Sequence, residues 1–385
     1  MIRVCHFVTY YLPVTQNWIY SQLAFNDECR AAVLCQRLIN PAQFPFDNVH
    51  PICQSSGLTS VPKRLTHKIF ERYPQKPHSN IIEAFKPDIL HGHFLLESWR
   101  NHNIVKQCKI PLVTTCYGQD ITSLLRKPFW MSRAKKVFAQ SAAFIVEGRH
   151  MGNTLMERGC PPEKINVIKL GIDTAKIAVN PPKKCNDNTV RILFTGLGRE
   201  KKGALCAVEA FIKALALISS ESPDTNIELH LLGDGICRQP AEKMLIDAGV
   251  WQKAVFHGMK PVNQYLELLK SADMVLAPSV HAADGDTEGG APVVVIEALC
   301  AGIPVVGSKH CDIPNIVSHG SSGLLSDERD TGALAKDIVT LSVNKSLRVD
   351  MGKHGAKYAR GEHDIVKQVR KITDVYKNVI KKTPA

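Results

Sequence analysis

Short apolar runs alternate with segments of helical period along the whole chain. In the first half the strand candidates are Arg3–Val8, Ala32–Cys35, Asp88–His91, Pro111–Thr115, Phe144–Val146 and Asn166–Leu170. Ser79–Phe85 and His150–Arg158, between them, carry apolar residues at helical spacing. The rhythm restarts in the second half, with strands at Thr189–Phe194, Asn226–Leu232, Met274–Ala277 and Pro304–Val306 and helices over Ala204–Ile218 and Val293–Cys300. Apolar strands separated by helices predict parallel sheets covered on both faces, the α/β class. The polar, proline-containing stretch Asn180–Asn188 has little to bury and is the best linker. The pattern therefore predicts two doubly wound, Rossmann-like domains, 1–180 and 181–385, facing each other across a cleft at the carboxyl ends of their strands. The last segment, Ile365–Lys381, is a basic helix that either stays with the second domain or crosses back to the first.

Length agrees, since 385 residues exceed one ordinary core. A hydrophobic content of 44% and a charged content of 22% exclude wholesale disorder. No apolar run is expected to approach the roughly 20 residues that cross a bilayer. Met1–Val8 reads as a buried strand, not a signal peptide, so a reducing cytoplasm is the expected location. The twelve cysteines form no Cys-x-x-Cys pair and no zinc spacing, and are expected to be small buried residues without disulfides.

The net charge of +12 is uneven: residues 1–180 hold 22 Lys and Arg against 12 Asp and Glu, residues 181–385 hold 26 against 24. A basic first half can attract nucleic acid, an anionic membrane or a phosphorylated substrate, or can simply be a solvated face. Two segments mix bases with apolar residues. They are Arg126–Lys136, with Phe129, Trp130, Lys135 and Lys136, and Val61–Tyr73. Each is either a contact for an anionic membrane surface or an amphipathic helix packed on its own domain.

Candidate chemistry concentrates in two places. The first is Pro278-Ser279, then Glu288-Gly289-Gly290-Ala291-Pro292-Val293, then Glu297-Ala298-Leu299 and Gly302-Ile303-Pro304-Val305-Val306. This reads as a strand end, a glycine-rich loop and a helix whose amino end opens at that loop, with Pro292 in its first turn. Such an end attracts phosphate. Carboxylates beside a phosphate site suit hydroxyls, which points to ribose and sugar; the alternative is an ordinary helix start with Glu297 on a solvated face. The second place is Gly196-Leu197-Gly198-Arg199-Glu200-Lys201-Lys202-Gly203, after a strand and before a helix. Arginine and lysine there can neutralise a diphosphate without metal, or can form a solvated basic turn. Its glycine spacing is not that of a Walker loop.

These runs resemble family 4 of the glycosyltransferases, which has the GT-B fold. The resemblance implies that Glu297 holds the donor ribose, that Glu288 lies near the donor sugar, and that Lys202 meets the diphosphate. Gly289, Gly290, Ala291, Pro292, Val293, Gly198 and Gly258 would line the donor site. The family has seven residues between its two glutamates; here there are eight, so the loop must bulge. Leu197 stands at the usual arginine position, with Arg199 two residues later as its substitute. Leu231–Gly235, Phe256-His257-Gly258, Asp312–Val317 and Gly323–Leu325 match in order, with Asn315 where glutamate is common. In the first half Pro87–Phe94 resembles the family's strand ending in His-x-His. Thr115–Asp120 resembles Thr-Phe-His-Gly-x-Asp, with Tyr117 at the histidine, and Pro13–Ile19 resembles its first loop. His93 and Asp120 are then catalytic candidates at strand ends facing the cleft, Asn17 and Tyr117 lie on the acceptor side, and His91 is either functional or a satisfied core histidine.

The resemblance further implies transfer from a nucleotide sugar to a glycan or lipid-linked acceptor with retention of configuration, in envelope or exopolysaccharide synthesis. No cofactor and no metal are expected, and Asp284-Gly285-Asp286 reads as surface polarity. The rivals are a sugar-nucleotide epimerase or hydrolase on the same fold, and a nucleic-acid-binding protein. The last would need interleaved aromatics or a recognition helix, and neither is evident.

Overall fold

The computed structural model describes residues 1–13, 16–52, 75–179 and 189–383. The predicted linker 180–188 and the basic segment Val61–Tyr73 lie outside the described residues, as do Val14 and Thr15. Contacts divide the chain into two compact units, Met1–Gly171 with Ile365–Ala385, and Ile172–Asp364.

The first unit is built on a seven-stranded sheet in the order β3-β2-β1-β4-β5-β6-β7. Its strands are β1 (Ile2–Tyr11), β2 (Cys29–Leu38), β3 (Val49–Pro51), β4 (Ile89–His93), β5 (Leu112–Thr115), β6 (Ala143–Val146) and β7 (Ile165–Val167). All pairings are parallel, with β1 in register from Ile2↔Cys29 to Tyr11↔Leu38 and from Val4↔Ile89 to Phe7↔Gly92. Period-two alternation sends Cys5, Phe7 and Leu90 to one face, against Ile82, Ile104 and Val105. It sends Val4, Ile89, Val113 and Ile145 to the other, against Ile372, Val375, Tyr376 and Val379. Those last four recur at i, i+3, i+4 and i+7, the apolar stripe of the helix Ile365–Lys382. The carboxyl-terminal helix thus completes the first unit's core.

The second unit has a six-stranded parallel sheet in the order β10-β9-β8-β11-β12-β13. Its strands are β8 (Thr189–Thr195), β9 (Asn226–Leu232), β10 (Ala254–Gly258), β11 (Met274–Ala277), β12 (Val305–Ser308) and β13 (Gly323–Ser326). This unit begins at Ile172, not at 181 where the linker suggested. Ile172 bridges to Asp364, the Thr174 hydroxyl donates to Asp364 at 2.9 Å, and the Arg360 guanidinium donates to the carbonyls of Thr174 and Ile177. Buried Ile172 and Ile177 tie this segment to the second unit before the polar run begins.

Two further expectations are corrected. The stretch Glu200–Glu221 is, by length and composition, apolar enough to cross a membrane. Within it the helix Ala204–Glu221 buries Ala207, Val208, Phe211, Ala214 and Ile218 in the sheet core, and a core helix passes the same compositional test. Strands β3, β10 and β13 were absent from the predicted set. All three are short and lie at sheet edges, where the double-sided apolar run that marks a central strand is weakest.

Candidate functional site

In each sheet the strand order reverses beside the first strand, and such switch points open a crevice at the carboxyl ends. In the second unit the loops after β8 and β11 meet there. Gly203 has φ +71°, and a Cβ on it would stand 1.8 Å from the Pro278 carbonyl, so only glycine lets these loops touch. Gly198 faces the next loop, where a Cβ on Gly235 would lie 2.6 Å from the Gly198 Cα.

This close approach brings Lys202 to Glu288, Nζ to Oε2 at 3.0 Å, while the Ser279 hydroxyl donates to the other carboxylate oxygen at 3.0 Å. Glu288 is almost fully buried, Lys202 partly open. Burial alone would raise the Glu288 carboxyl, but Lys202 and Lys201 more than offset it and hold the group below its ordinary value. The longer loop turns at Gly289, where φ is +74° and the N–H donates to the Thr287 hydroxyl at 3.1 Å. Gly290 follows, its carbonyl 3.5 Å from the Asp312 amide.

Asp286 is not surface polarity. It is 2% exposed and lies 3.3 Å from Lys201 Nζ and 3.5 Å from the Arg199 guanidinium. Lys201 also donates to the Thr287 carbonyl at 2.8 Å. A carboxylate so deep in the loop requires a cation, and Lys201 is the inner one; the Arg199 side chain is 59% exposed.

Ala291 leads into the helix Val293–Cys300, whose N-cap is Pro292 rather than a capping side chain. Its amino end therefore retains the polarity that favours an anion. One turn in, Glu297 accepts a hydrogen bond from the Tyr265 hydroxyl at 2.5 Å. Burial raises the Glu297 carboxyl to about 7, against the lowering effect of that hydrogen bond. Gly258 ends the edge strand β10 with φ +64°, next to a break in register, and accepts from the Gly233 amide at 3.0 Å.

At the first unit's switch point the predicted residues form a closed network. His93 Nδ1 lies 2.7 Å from the Tyr117 hydroxyl and its Nε2 lies 3.0 Å from His6 Nδ1. His91 bonds Tyr376 at 2.6 Å and Thr115 at 2.7 Å, which makes it a satisfied core histidine. Burial pushes His6 down to about 3 and His91 and His93 well below the usual range, so all three are neutral. Asp120 is 5% exposed; its carboxylate accepts from the Leu95 amide at 2.8 Å and the Tyr117 amide at 3.0 Å. It caps the helix Leu95–Arg100, which starts from Phe94 at φ +74°. His93 and Asp120 therefore bind protein groups rather than presenting open side chains. Asn17 opens the helix Asn17–Ala24, where its carbonyl accepts from Ser21. Trp18 of that helix packs beside Tyr117.

Among the described residues, two groups have donor atoms close enough for a metal ion, His6 with His91 and His93, and His281 with His310 and Glu328. In the first, the ring nitrogens already bond Tyr117, Tyr376, Thr115 and each other.

Residues 180–358 match the family described as Glycosyl transferases group 1, and residues 55–176 match Glycosyltransferase Family 4. A protein of Escherichia coli strain K12, WcaL, named as a candidate colanic acid biosynthesis glycosyltransferase, is 30% identical over 75% of this chain and 70% of its own length. The chain belongs to this family. The amylovoran biosynthesis glycosyltransferase AmsK of Erwinia amylovora is 33% identical over 60% of the chain, a match that spans 54% of AmsK. Anabaena HepE, solved with UDP and glucose, superposes with a TM-score of 0.77 at 15% identity, covering 98% of this chain and all of that one. At that identity the likeness shows the fold, which is GT-B.

In this group 1 glycosyltransferase the loop motifs found by sequence thus fall together at the second switch point. Sequence reasoning missed Tyr265, Lys201 with Asp286, and His310. Tyr265 sits in an amphipathic helix with nothing local to mark it, whereas the lysine beside Lys202 and the acidic Asp284-Gly285-Asp286 run were legible as a charge pair.

Proposed function

We propose that this chain transfers a sugar from a nucleotide-sugar donor to a hydroxyl of a glycan or lipid-linked acceptor, with retention at the anomeric carbon, in exopolysaccharide synthesis. The observation that carries the reading is the Lys202–Glu288 pair, set in a loop beside an uncapped helix amino end. Departure of the nucleoside diphosphate develops negative charge. Lys202, Lys201 and the helix end supply positive potential for it, so the reaction needs no metal. On donor binding Lys202 exchanges the Glu288 carboxylate for the diphosphate. Glu288 is then free to accept from the sugar hydroxyls, while Glu297 exchanges Tyr265 for the ribose. The names of AmsK and WcaL, and the UDP and glucose in HepE, support the substrate class.

The protein meets its acceptor at an anionic membrane surface. On the helix Pro128–Gln140 and the turn before it, Arg126, Lys127, Lys135 and Lys136 are exposed, and Phe129 is 51% exposed. Trp130 packs on the unit's own core, so Phe129 is the apolar contact.

Saturation-transfer NMR with UDP-, GDP-, ADP- and CMP-sugars, followed by product analysis with and without glycan acceptor in EDTA, tests the reading. One sugar nucleotide should bind and be consumed only with acceptor. Epimerised donor, acceptor-independent hydrolysis, or activity abolished by EDTA and restored by magnesium would overturn the corresponding part.

A further inference from the structure

Glu288 sits in a loop one residue longer than the family's, and its backbone is held from the β12 side. Its N–H donates to Nε2 of His310 at 3.1 Å. The His310 side chain is fully buried on the turn after β12, with Nδ1 2.7 Å from Glu328. Glu328 is anchored in turn by the His281 backbone N–H at 3.0 Å and ring Nδ1 at 2.9 Å. A ring nitrogen that accepts cannot carry the proton, so neutral His310 must carry it on Nδ1, facing the carboxylate. The Cys311 sulfur lies 3.1 Å from the same Nε2, and burial keeps that group a protonated thiol, pushed up to about 11. Two donor groups therefore converge on Nε2. Burial lowers His310 and outweighs the raising effects of Glu328 and Glu288, while His281 lowers it further.

We propose that His310 is a positioning residue for transfer: with its Nδ1 proton donated in a hydrogen bond to Glu328, its Nε2 fixes the Glu288 backbone and so aims the carboxylate that meets the donor sugar. The inference rests on the reading of Glu288 given above. A resident metal on His281, His310 and Glu328 is incompatible with it, because coordination through Nδ1 moves the ring proton to Nε2 and releases the Glu288 amide.

The first test needs no substrate. In protein with nitrogen-labelled histidine, long-range proton–nitrogen spectra should show His310 as the Nδ1–H tautomer, assigned by its loss in His310→Gln. Glu328→Gln should shift it toward Nε2–H. An Nε2–H tautomer in the wild type overturns the proposal. The second test compares His310→Ala, His310→Asn and His310→Gln with UDP-glucose and UDP, or the donor and diphosphate that the sugar-nucleotide panel selects. Glutamine places an amide oxygen near the Nε2 position; asparagine reaches only the Nδ1 position. Turnover should fall about tenfold or more in the alanine and asparagine variants and recover largely in glutamine, with diphosphate affinity within about twofold throughout. Wild-type turnover in His310→Ala, or affinity falling in step with turnover in all three, overturns the proposal. A wild-type protein that uses no sugar nucleotide refutes the transferase reading instead, and the tautomer spectrum still decides His310.

Discussion

The two units share one strand order over six strands, the first adding a seventh at its edge, yet their switch points hold opposite chemistry. In the first, His6, His91, His93 and Asp120 are buried and Tyr117 is half-buried, and their polar atoms bond to one another, to Tyr376 and Thr115, and to backbone. In the second, Lys201, Lys202, Asp286 and Glu288 are charged, and Lys202 stays partly open to solvent. A buried network that satisfies itself rigidifies a fold. A buried carboxylate balanced by a cation that water still reaches can exchange partners when an anion arrives. The same fold position is thus closed by its own hydrogen bonds in one unit and holds a partly solvated ion pair in the other.

The largest effects that would break this contrast lie in the second unit. Glu297→Ala removes the carboxylate proposed for the ribose and should lower kcat/KM by about 30- to 1,000-fold, or about 2–4 kcal/mol. Its thermal midpoint should stay or rise, because an unfavourably buried carboxylate is lost. Near wild-type kinetics in the folded variant would remove Glu297 from the site. In the first unit the order should reverse. Tyr376→Phe leaves His91 Nδ1 without its partner and should cost about 1–3 kcal/mol in denaturant unfolding, while nucleotide-sugar affinity holds.

A pH profile sharpens the comparison. Glu297, raised to about 7, offers both oxygens as charged acceptors to the ribose only when ionised, so kcat/KM should fall as pH drops through about 7. Tyr265→Phe deletes the one hydrogen bond that lowers this carboxyl, and should move the acid limb to higher pH. The same raised value means that Glu297 contributes stability below its ordinary value of 4.5, lost as pH rises through about 7. Glu297→Gln should flatten that part of the stability curve. An acid limb unmoved in Tyr265→Phe would assign it to another group.

Smaller effects follow at the loop's outer edge. Arg199→Ala should change turnover less than Lys202→Ala, and the double variant should be less than additive, since both cations face the same carboxylate loop. An arginine effect equal to that of Lys202 would make Arg199 the full replacement for the position that Leu197 occupies. Smallest is the membrane contact. Liposome flotation should require anionic lipid, weaken with salt as the Debye length shrinks, and fall in the Phe129→Ala and Lys135→Ala/Lys136→Ala variants. Equal recovery with neutral and anionic liposomes would remove it.

Short-range information carried much of this molecule. The central strands could be read from runs such as Met274–Ala277, and the phosphate-type loop from Gly196–Gly203, because periodicity and turn chemistry act over a few residues. Edge strands β3, β10 and β13 escaped for the same reason, since none of them carries more than three apolar residues in a row.

By itself the sequence determined the α/β class, the two-unit organisation, the family, and which loops carry charge and glycine. Tertiary structure alone decided which charges meet. Asp286 looked exposed until the loop after β8 placed Lys201 beside it, 85 residues away in sequence. His91 pairs with Tyr376 across 285 residues, which both satisfies the histidine and seats the last helix on the first sheet. Tyr265 reaches Glu297 from a helix 32 residues earlier. Burial and partnership are properties of contacts between distant segments, and they set whether a histidine or a carboxylate is closed into the fold or left able to exchange its partner for a ligand.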